Sequence, residues 1–341
     1  MKRWRVMVVV CAAAVWGLCA RGATGTLTVA SWNVENLFDT EDDPANKGDD
    51  GFTPRGWMRW TKARYALKVR HLSDVIFQMR PDVLCLTEIE NRRVLEDLVK
   101  ELKDRHAYAL PVIIHRDSSE KRGIDVAMLA TTAPVATNWL HAAAGQREVL
   151  VCGFEFFGKP LTVLVNHWKS QLGKKDESDE IRRKEARAVR RYLDRRLKED
   201  PAVAILVAGD FNDALTSPIL TEEAGLVPDE KRVRGDVGGR LLFNLAGGLS
   251  EAARATYYYA AAKQWSAMDS ISVTRGMLAG VEPAALWRVK KGGYCVFKSP
   301  AQCSEKGTPL PFRRVRNKEV GDIFLTGYSD HFPVRVELEA P

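Results

Sequence analysis

The sequence predicts a single α/β domain built on packed β-sheets, and three observations predict it. Short apolar runs of strand length alternate with amphipathic segments along the whole chain. No linker, repeat or low-complexity tract separates them. At 341 residues, with 45% hydrophobic and 28% charged residues, the chain can bury a sizeable core.

The first residues stand apart from that domain. Met1-Lys2-Arg3-Trp4-Arg5 is basic, an apolar run covers 6–20, and the small residues Ala20, Gly22 and Ala23 follow. This is the pattern of a signal peptide over residues 1–24, with cleavage between Ala20 and Gly25 and a domain over 25–341. The run is short for a membrane span, and Leu18 before Cys19 argues against a lipoprotein site. The expectation is therefore export, to the periplasm or the medium.

After this segment, 27–32 reads as a strand and 39–54 as an acidic loop punctuated by Gly and Pro. Tyr65, Val69, Leu72, Ile76 and Met79 then recur at helical spacing, with Thr61 placed to cap the helix and Pro81 to stop it. A buried-type strand follows at 83–87 and a helix at 94–102. The middle of the chain offers strands at 112–114, 126–129, 151–157 and 161–165. A strongly basic helix over 179–200 leads into a strand at 204–207. The last strands fall near 270–273 and 334–338, separated by long loops.

Of six cysteines, Cys85 sits inside an apolar strand and reads as a small core residue. Cys295 and Cys303 bracket a short loop, where export would permit a disulfide. No cysteine pair has zinc-site spacing. The formal net charge is +7, of which Lys2, Arg3, Arg5 and Arg21 carry four, leaving +3 after cleavage. Such a mild excess serves solubility and does not by itself mark an anionic partner.

The informative polar residues stand at the ends of the apolar strands, where loops build sites. They are Asn33 and Glu35, Glu88, Asn166 and His167, Asp210 and Asn212, Asp269, and Asp330 and His331. Each alone has an ordinary reading as a turn or cap residue. Together they form a set of carboxylates, carboxamides and two histidines with no thiolate cluster. That set suits a hard cation, Mg2+ or else Mn2+ or Ca2+. Phosphodiester hydrolysis needs such a cation, a positioned water and help for the leaving oxygen.

The ordered series Trp32-Asn33-Val34-Glu35, Leu86-Thr87-Glu88, Asn166-His167, Gly209-Asp210-Phe211-Asn212, Met268-Asp269 and Ser329-Asp330-His331 resembles the endonuclease/exonuclease/phosphatase superfamily. That group includes DNase I, exonuclease III-type abasic endonucleases, bacterial sphingomyelinases and inositol polyphosphate 5-phosphatases. The resemblance implies a four-layer α/β sandwich of two packed mixed β-sheets flanked by helices. It also implies roles for individual residues. Glu88 would be the principal metal ligand, Asn33 and Glu35 would complete the metal's water shell, and Asp330 would lie beside the metal. Glu35 departs from the Asp that abasic endonucleases carry there. Asp210 and Asn212 would orient the attacking water and hold a phosphate oxygen. His331, oriented by Asp269, would act on the phosphate, and His167 would stand near the leaving group. Arg122 and Lys169 are candidate phosphate contacts, and Asp125 a candidate partner of His167.

For the substrate, the basic stretch 290–319 lies between Asp269 and Asp330 and is expected to form a flap at the site. Such a flap suits nucleic-acid backbone. The basic helix at 179–200 is more simply a solvated outer layer, and the acidic loop at 39–50 would repel a polyanion. The expected activity is an exported, monomeric, metal-dependent phosphodiesterase acting on nucleic acid. The alternatives are a phospholipid or an inositol or sugar phosphate as substrate, or a non-catalytic binding protein on the same fold. An exposed aromatic hairpin at Tyr257-Tyr258-Tyr259 would favour lipid.

Overall fold

The protein is described here by a computed structural model covering residues 25–44, 46–317 and 320–340. The expected signal peptide therefore lies outside the described residues, as do Lys318 and Glu319 of the basic stretch. The strands in chain order are β1 (Thr26–Leu37), β2 (Val83–Ile89), β3 (Val112–His115), β4 (Asp125–Ala130), β5 (Ala136–Leu140) and β6 (Val149–Phe156). Then come β7 (Lys159–His167), β8 (Ile205–Asp210), β9 (Leu226–Val227), β10 (Leu242–Asn244), β11 (Tyr257–Tyr259) and β12 (Gln264–Ser266). The series closes with β13 (Asp269–Thr274), β14 (Arg288–Val296), β15 (Arg314–Asn317), β16 (Gly321–Phe324) and β17 (Val334–Glu339). The long helices are α1 (Lys62–Met79), α2 (Arg92–His106) and α3 (Lys175–Glu199).

One sheet has the order β14-β17-β1-β2-β4-β3 and the other β5-β6-β7-β8-β13-β10-β9. Because strand side chains alternate between faces, each strand feeds two cores. Val29, Cys85, Met128, Val163, Leu206 and Ile271 meet between the sheets. Trp32, Leu84 and Leu86 face the other way, onto Leu72, Ile76, Leu95 and Leu98 of α1 and α2. On the far side, Leu164, Ile205 and Val207 receive Val189 and Leu193 of α3. The result is the four-layer sandwich, helices outside and two mixed sheets within. Among the described residues no helix is long and apolar enough to cross a membrane.

Local chemistry sets the element ends. The Thr61 hydroxyl accepts the Arg64 N–H at the start of α1, and Arg80 turns left-handed just before Pro81, which disfavours further helix. The basic stretch behaves differently from the expected single loop. Arg288–Val296 is an edge strand on β17, and Arg314–Asn317 forms a hairpin with β16. Cys295 and Cys303 are free thiols, so the anticipated disulfide is absent. The three tyrosines do form a hairpin, β11 with β12.

The pairing explains where the polar residues go. β1 and β2 run parallel, as do β7 and β8, so their C-terminal ends reach one edge of each sheet. β13 is antiparallel to β8, which brings Asp269 opposite Asp210. β17 is antiparallel to β1, so the segment before it, with Asp330 and His331, arrives beside the end of β1.

Candidate active site

At that edge both strands of the first sheet leave regular pairing. The β1–β2 register shifts between Asn33 and Leu37, and the β2–β4 register shifts between Thr87 and Ile89. Glu35, Asn36 and Glu88 take positive φ of 54°, 55° and 66°. Non-glycine residues in this region cost of order 1–2 kcal/mol each, and bulges of this kind re-aim side chains. Here they turn the Glu88 carboxylate back over the end of β1, where it accepts the Asn36 N–H at 2.9 Å.

Asn33 ties the two sheets together. Its Nδ2 donates to Asp210 Oδ2 at 3.0 Å and lies 3.4 Å from Glu88 Oε1. Its Oδ1 accepts the Glu35 N–H at 3.0 Å, so Asn33 orients the carboxylates with its amide. Across the sandwich, Asp210 Oδ1 accepts the Asn212 N–H at 2.9 Å. The Asn212 side chain donates to the Trp168 carbonyl at 3.0 Å. Gly209, at φ 137°, makes this turn possible, since a Cβ there would stand 2.0 Å from the Asn166 carbonyl oxygen.

The two histidines are held in opposite charge states. His331 Nδ1 meets Asp269 Oδ2 at 2.7 Å, and Nε2 lies 3.9 Å from Asp330 Oδ1. Burial alone would lower its pKa, but Asp269, Asp330 and Asp210 outweigh it and hold the ring protonated well above the usual range. His167 is buried with no partner on Nδ1, and its Nε2 is 3.9 Å from both Glu88 and Asp210. Burial, with Arg147 and Arg122 nearby, keeps it neutral. Asp210 is pushed up to about 7 by burial and by the Asp269 charge. Asp125 does not pair with His167. It accepts the Ser118 N–H instead and lies 3.9 Å from His115 Nε2.

Behind Glu88 lies an ion network that the sequence left unread. Arg313 Nε donates to Glu35 Oε1 at 2.5 Å and its Nη2 to Asp330, while the Phe312 N–H donates to Glu35 Oε2 at 2.6 Å. Both Glu35 oxygens are thus engaged by protein donors, which fix the carboxylate beside Glu88. Lys68 of α1 is fully buried, donates to the Tyr328 carbonyl at 2.6 Å, and is lowered to about 8 by burial against the opposing pull of Glu35, Asp330 and Glu88. Its signal was available: Lys68 stands three after Tyr65 and four before Leu72, a cation on the apolar face. Arg313 had no such signal among eight similar cations. Arg147 was also missed; it donates to the His167 carbonyl at 3.0 Å and braces that loop.

These groups surround a cleft of about 600 Å3 lined by Asn33, Glu88, His167, Asp210, Asn212 and His331, with Arg122 and Asp330 also on its wall. Arg122 is held there by Asn36 Oδ1 at 2.8 Å. Lys169 does not line the cleft; its backbone is fixed by Glu185 and Arg182 on the α3 side. Among the described residues of the basic stretch only Arg313 reaches the cleft, where it pairs with Glu35 and Asp330. The tyrosine hairpin packs at its base and is exposed at its tip: Tyr257 lies on His331 at 4.7 Å and Trp265 near Phe332 at 6.4 Å, while Tyr259 and Trp265 are exposed.

The residues fit a divalent cation. Glu88 Oε1 and Asp210 Oδ2 lie 3.4 Å and 3.0 Å from the same Asn33 Nδ2, so two carboxylates converge on the cleft. Asp269 is engaged by His331, and Glu35 and Asp330 by Arg313, which leaves partly exposed Glu88 and buried Asp210 as the oxygen donors facing the cleft. Such a set takes Mg2+ or Mn2+ with water and substrate oxygens completing the shell.

Sandwich and site together define a hydrolase-type centre of hard carboxylates and paired imidazoles at one edge of two packed sheets. The chain belongs to the endonuclease/exonuclease/phosphatase family, whose sequence pattern it matches over residues 28–340. Members of that family are in general divalent-metal-dependent phosphoester hydrolases. Its structure is similar to TDP2 from C. elegans, at 13% identity and TM-score 0.56, covering 93% of this chain and 75% of that one. It is also similar to D. rerio TDP2 solved with a single-strand DNA product, at 16% identity and TM-score 0.53, covering 92% and 98%. An endonuclease/exonuclease/phosphatase family protein from Bacteroides thetaiotaomicron matches at 18% identity and TM-score 0.53, covering 93% and 99%. No curated protein sequence matches the chain.

Proposed function

We propose that this protein is an exported, divalent-metal-dependent phosphodiesterase acting on nucleic acid. The observation that carries the reading is the convergence of Glu88, Asp210, His167 and His331 in one cleft, with Asp269 Oδ2 on the His331 imidazole at 2.7 Å. A cation bound at Glu88 would polarise the phosphoryl oxygens. Asp210 stands where a carboxylate can take the proton of an attacking water, and the Asn212 N–H fixes its Oδ1. His331 presents a protonated Nε2 to the charge that develops on phosphorus-bound oxygen, while Asp269 holds the ring. Neutral His167 and the guanidinium of Arg122 face the same space and can stabilise the leaving oxygen and a phosphate oxygen.

The exposed tip of the tyrosine hairpin, with Tyr259 and Trp265 at the surface, favours lipid as a second reading, but nucleic acid stands first. The single-strand DNA product in the D. rerio TDP2 structure supports nucleic acid as the substrate class. Export rests on residues 1–24. The test is hydrolysis of bis-p-nitrophenyl phosphate, DNA, RNA and sphingomyelin vesicles. Turnover of DNA or RNA that stops with EDTA and returns with Mg2+ or Mn2+ supports the reading, and absence of turnover with any divalent cation overturns it. N-terminal sequencing of protein recovered outside the cytoplasm should begin between Ala20 and Gly25.

A further inference from the structure

A second cavity, of about 370 Å3, adjoins the cleft. Glu88, Arg122, Arg313 and Asp330 line both this cavity and the larger cleft, so the carboxylate that would carry the metal borders two open spaces. A phosphate monoester would use one of them. A diester held at Glu88 has a substituent for each.

The far wall is a built aromatic surface. Phe38 stacks on Phe52 at 4.0 Å, Trp60 meets Phe52 edge-on at 5.6 Å and Phe312 at 5.4 Å. Beside Phe52 and Phe312 of this cluster, Trp57 lines the cavity with 53% of its surface exposed. Gly51 lies flat beneath it, since a Cβ there would stand 2.8 Å from the ring. Two guanidinium groups at this wall are already occupied, Arg313 by Glu35 and Asp330, and Arg314 by Asp322 and the Trp57 carbonyl. Away from Arg122, which the cleft shares and Asn36 Oδ1 holds, the cavity offers an exposed aromatic face with its guanidinium groups paired. That suits an uncharged planar group and not a second phosphate.

Building on the nucleic-acid reading, we propose that the Trp57 cavity is a subsite for the base of a nucleotide next to the cleaved phosphate. Trp57 stacks on that base, and the chain on the other side of the phosphate leaves through the cleft bordered by Tyr257 and Tyr259.

The test uses single-stranded oligonucleotides with one cleavable phosphodiester among phosphorothioates, carrying either normal bases or a tetrahydrofuran residue on one side or the other of that linkage. In the wild-type protein, removing the base on one side is expected to raise KM about 5- to 150-fold, the range of one base stacked on an aromatic ring. Trp57→Ala should lose that dependence, with the same removal changing KM less than about 2-fold, and Trp57→Phe should keep it. A wild-type KM indifferent to the bases on both sides overturns the subsite, as does a Trp57→Ala protein that keeps the full dependence. A wild-type protein that cleaves no diester under any metal overturns the functional reading itself, a different result from either of these.

Discussion

Asp269 sits directly opposite Asp210 across the antiparallel β8–β13 pair, and Asp269 Oδ2 meets the Nδ1 of His331 at 2.7 Å. The imidazole is bonded to one of these buried carboxylates and lies within 4.8 Å of the other. The pH behaviour of the site follows from this arrangement.

His331 is held protonated well above its usual range because Asp269 and its neighbours overcome burial. Asp269→Asn removes the first of these, so the alkaline limb of kcat/KM should move to lower pH, and kcat at pH 8 should fall roughly 100-fold or more. His331→Asn should abolish the limb. The stabilisation from this pair is fully present below the unfolded histidine value of about 6.5 and is lost as pH rises through the higher folded value. A pH–rate series on both variants reads this directly.

Asp210 is buried and raised to about 7, so ionising it costs the folded state. Its contribution to stability is present below the unfolded carboxylate value of about 4 and is lost as pH rises through about 7. In EDTA at pH 8, Asp210→Asn is expected to raise Tm by roughly 2–5 °C while eliminating turnover. At pH 4 the Tm difference should vanish. A lower Tm at pH 8 would contradict the assignment.

Glu88→Gln keeps the size of the side chain and removes the charge that would hold the metal. It is expected to weaken Mg2+ activation about tenfold or more and to lower kcat, with an unchanged far-ultraviolet spectrum. Titration of activity against Mg2+ after EDTA treatment measures it.

Arg313→Ala strands Glu35, whose carboxylate is almost fully buried. The guanidinium is 38% exposed, so screening reduces the effect, and a loss of about 1–3 kcal/mol in urea unfolding is expected. Adding Glu35→Gln should restore most of it, because the charge left behind is gone.

Gly209→Ala would place a methyl 2.0 Å from the Asn166 carbonyl oxygen at φ 137°. Both Tm and kcat should fall, since the turn carries Asp210. Retained activity would mean that the β8 end can shift without moving the carboxylate.

The sequence by itself determined the layers and the edge on which the site stands. Alternation in runs such as Val29-Ala30-Ser31-Trp32 and Leu206-Val207-Ala208 fixes which side chains meet between the sheets and which meet helices, and this information is local. The ordered polar residues at strand ends were legible for the same reason. What the tertiary structure decided was which charges answer which. Arg313 and Glu35 are 278 positions apart, Lys68 and the Tyr328 carbonyl 260, and no periodicity links them. The downward shift of His167, the upward shift of His331 and the engagement of Glu35 by Arg313 all depend on burial and on Coulomb terms that act over a few ångströms. Those distances exist only once the two sheets have closed.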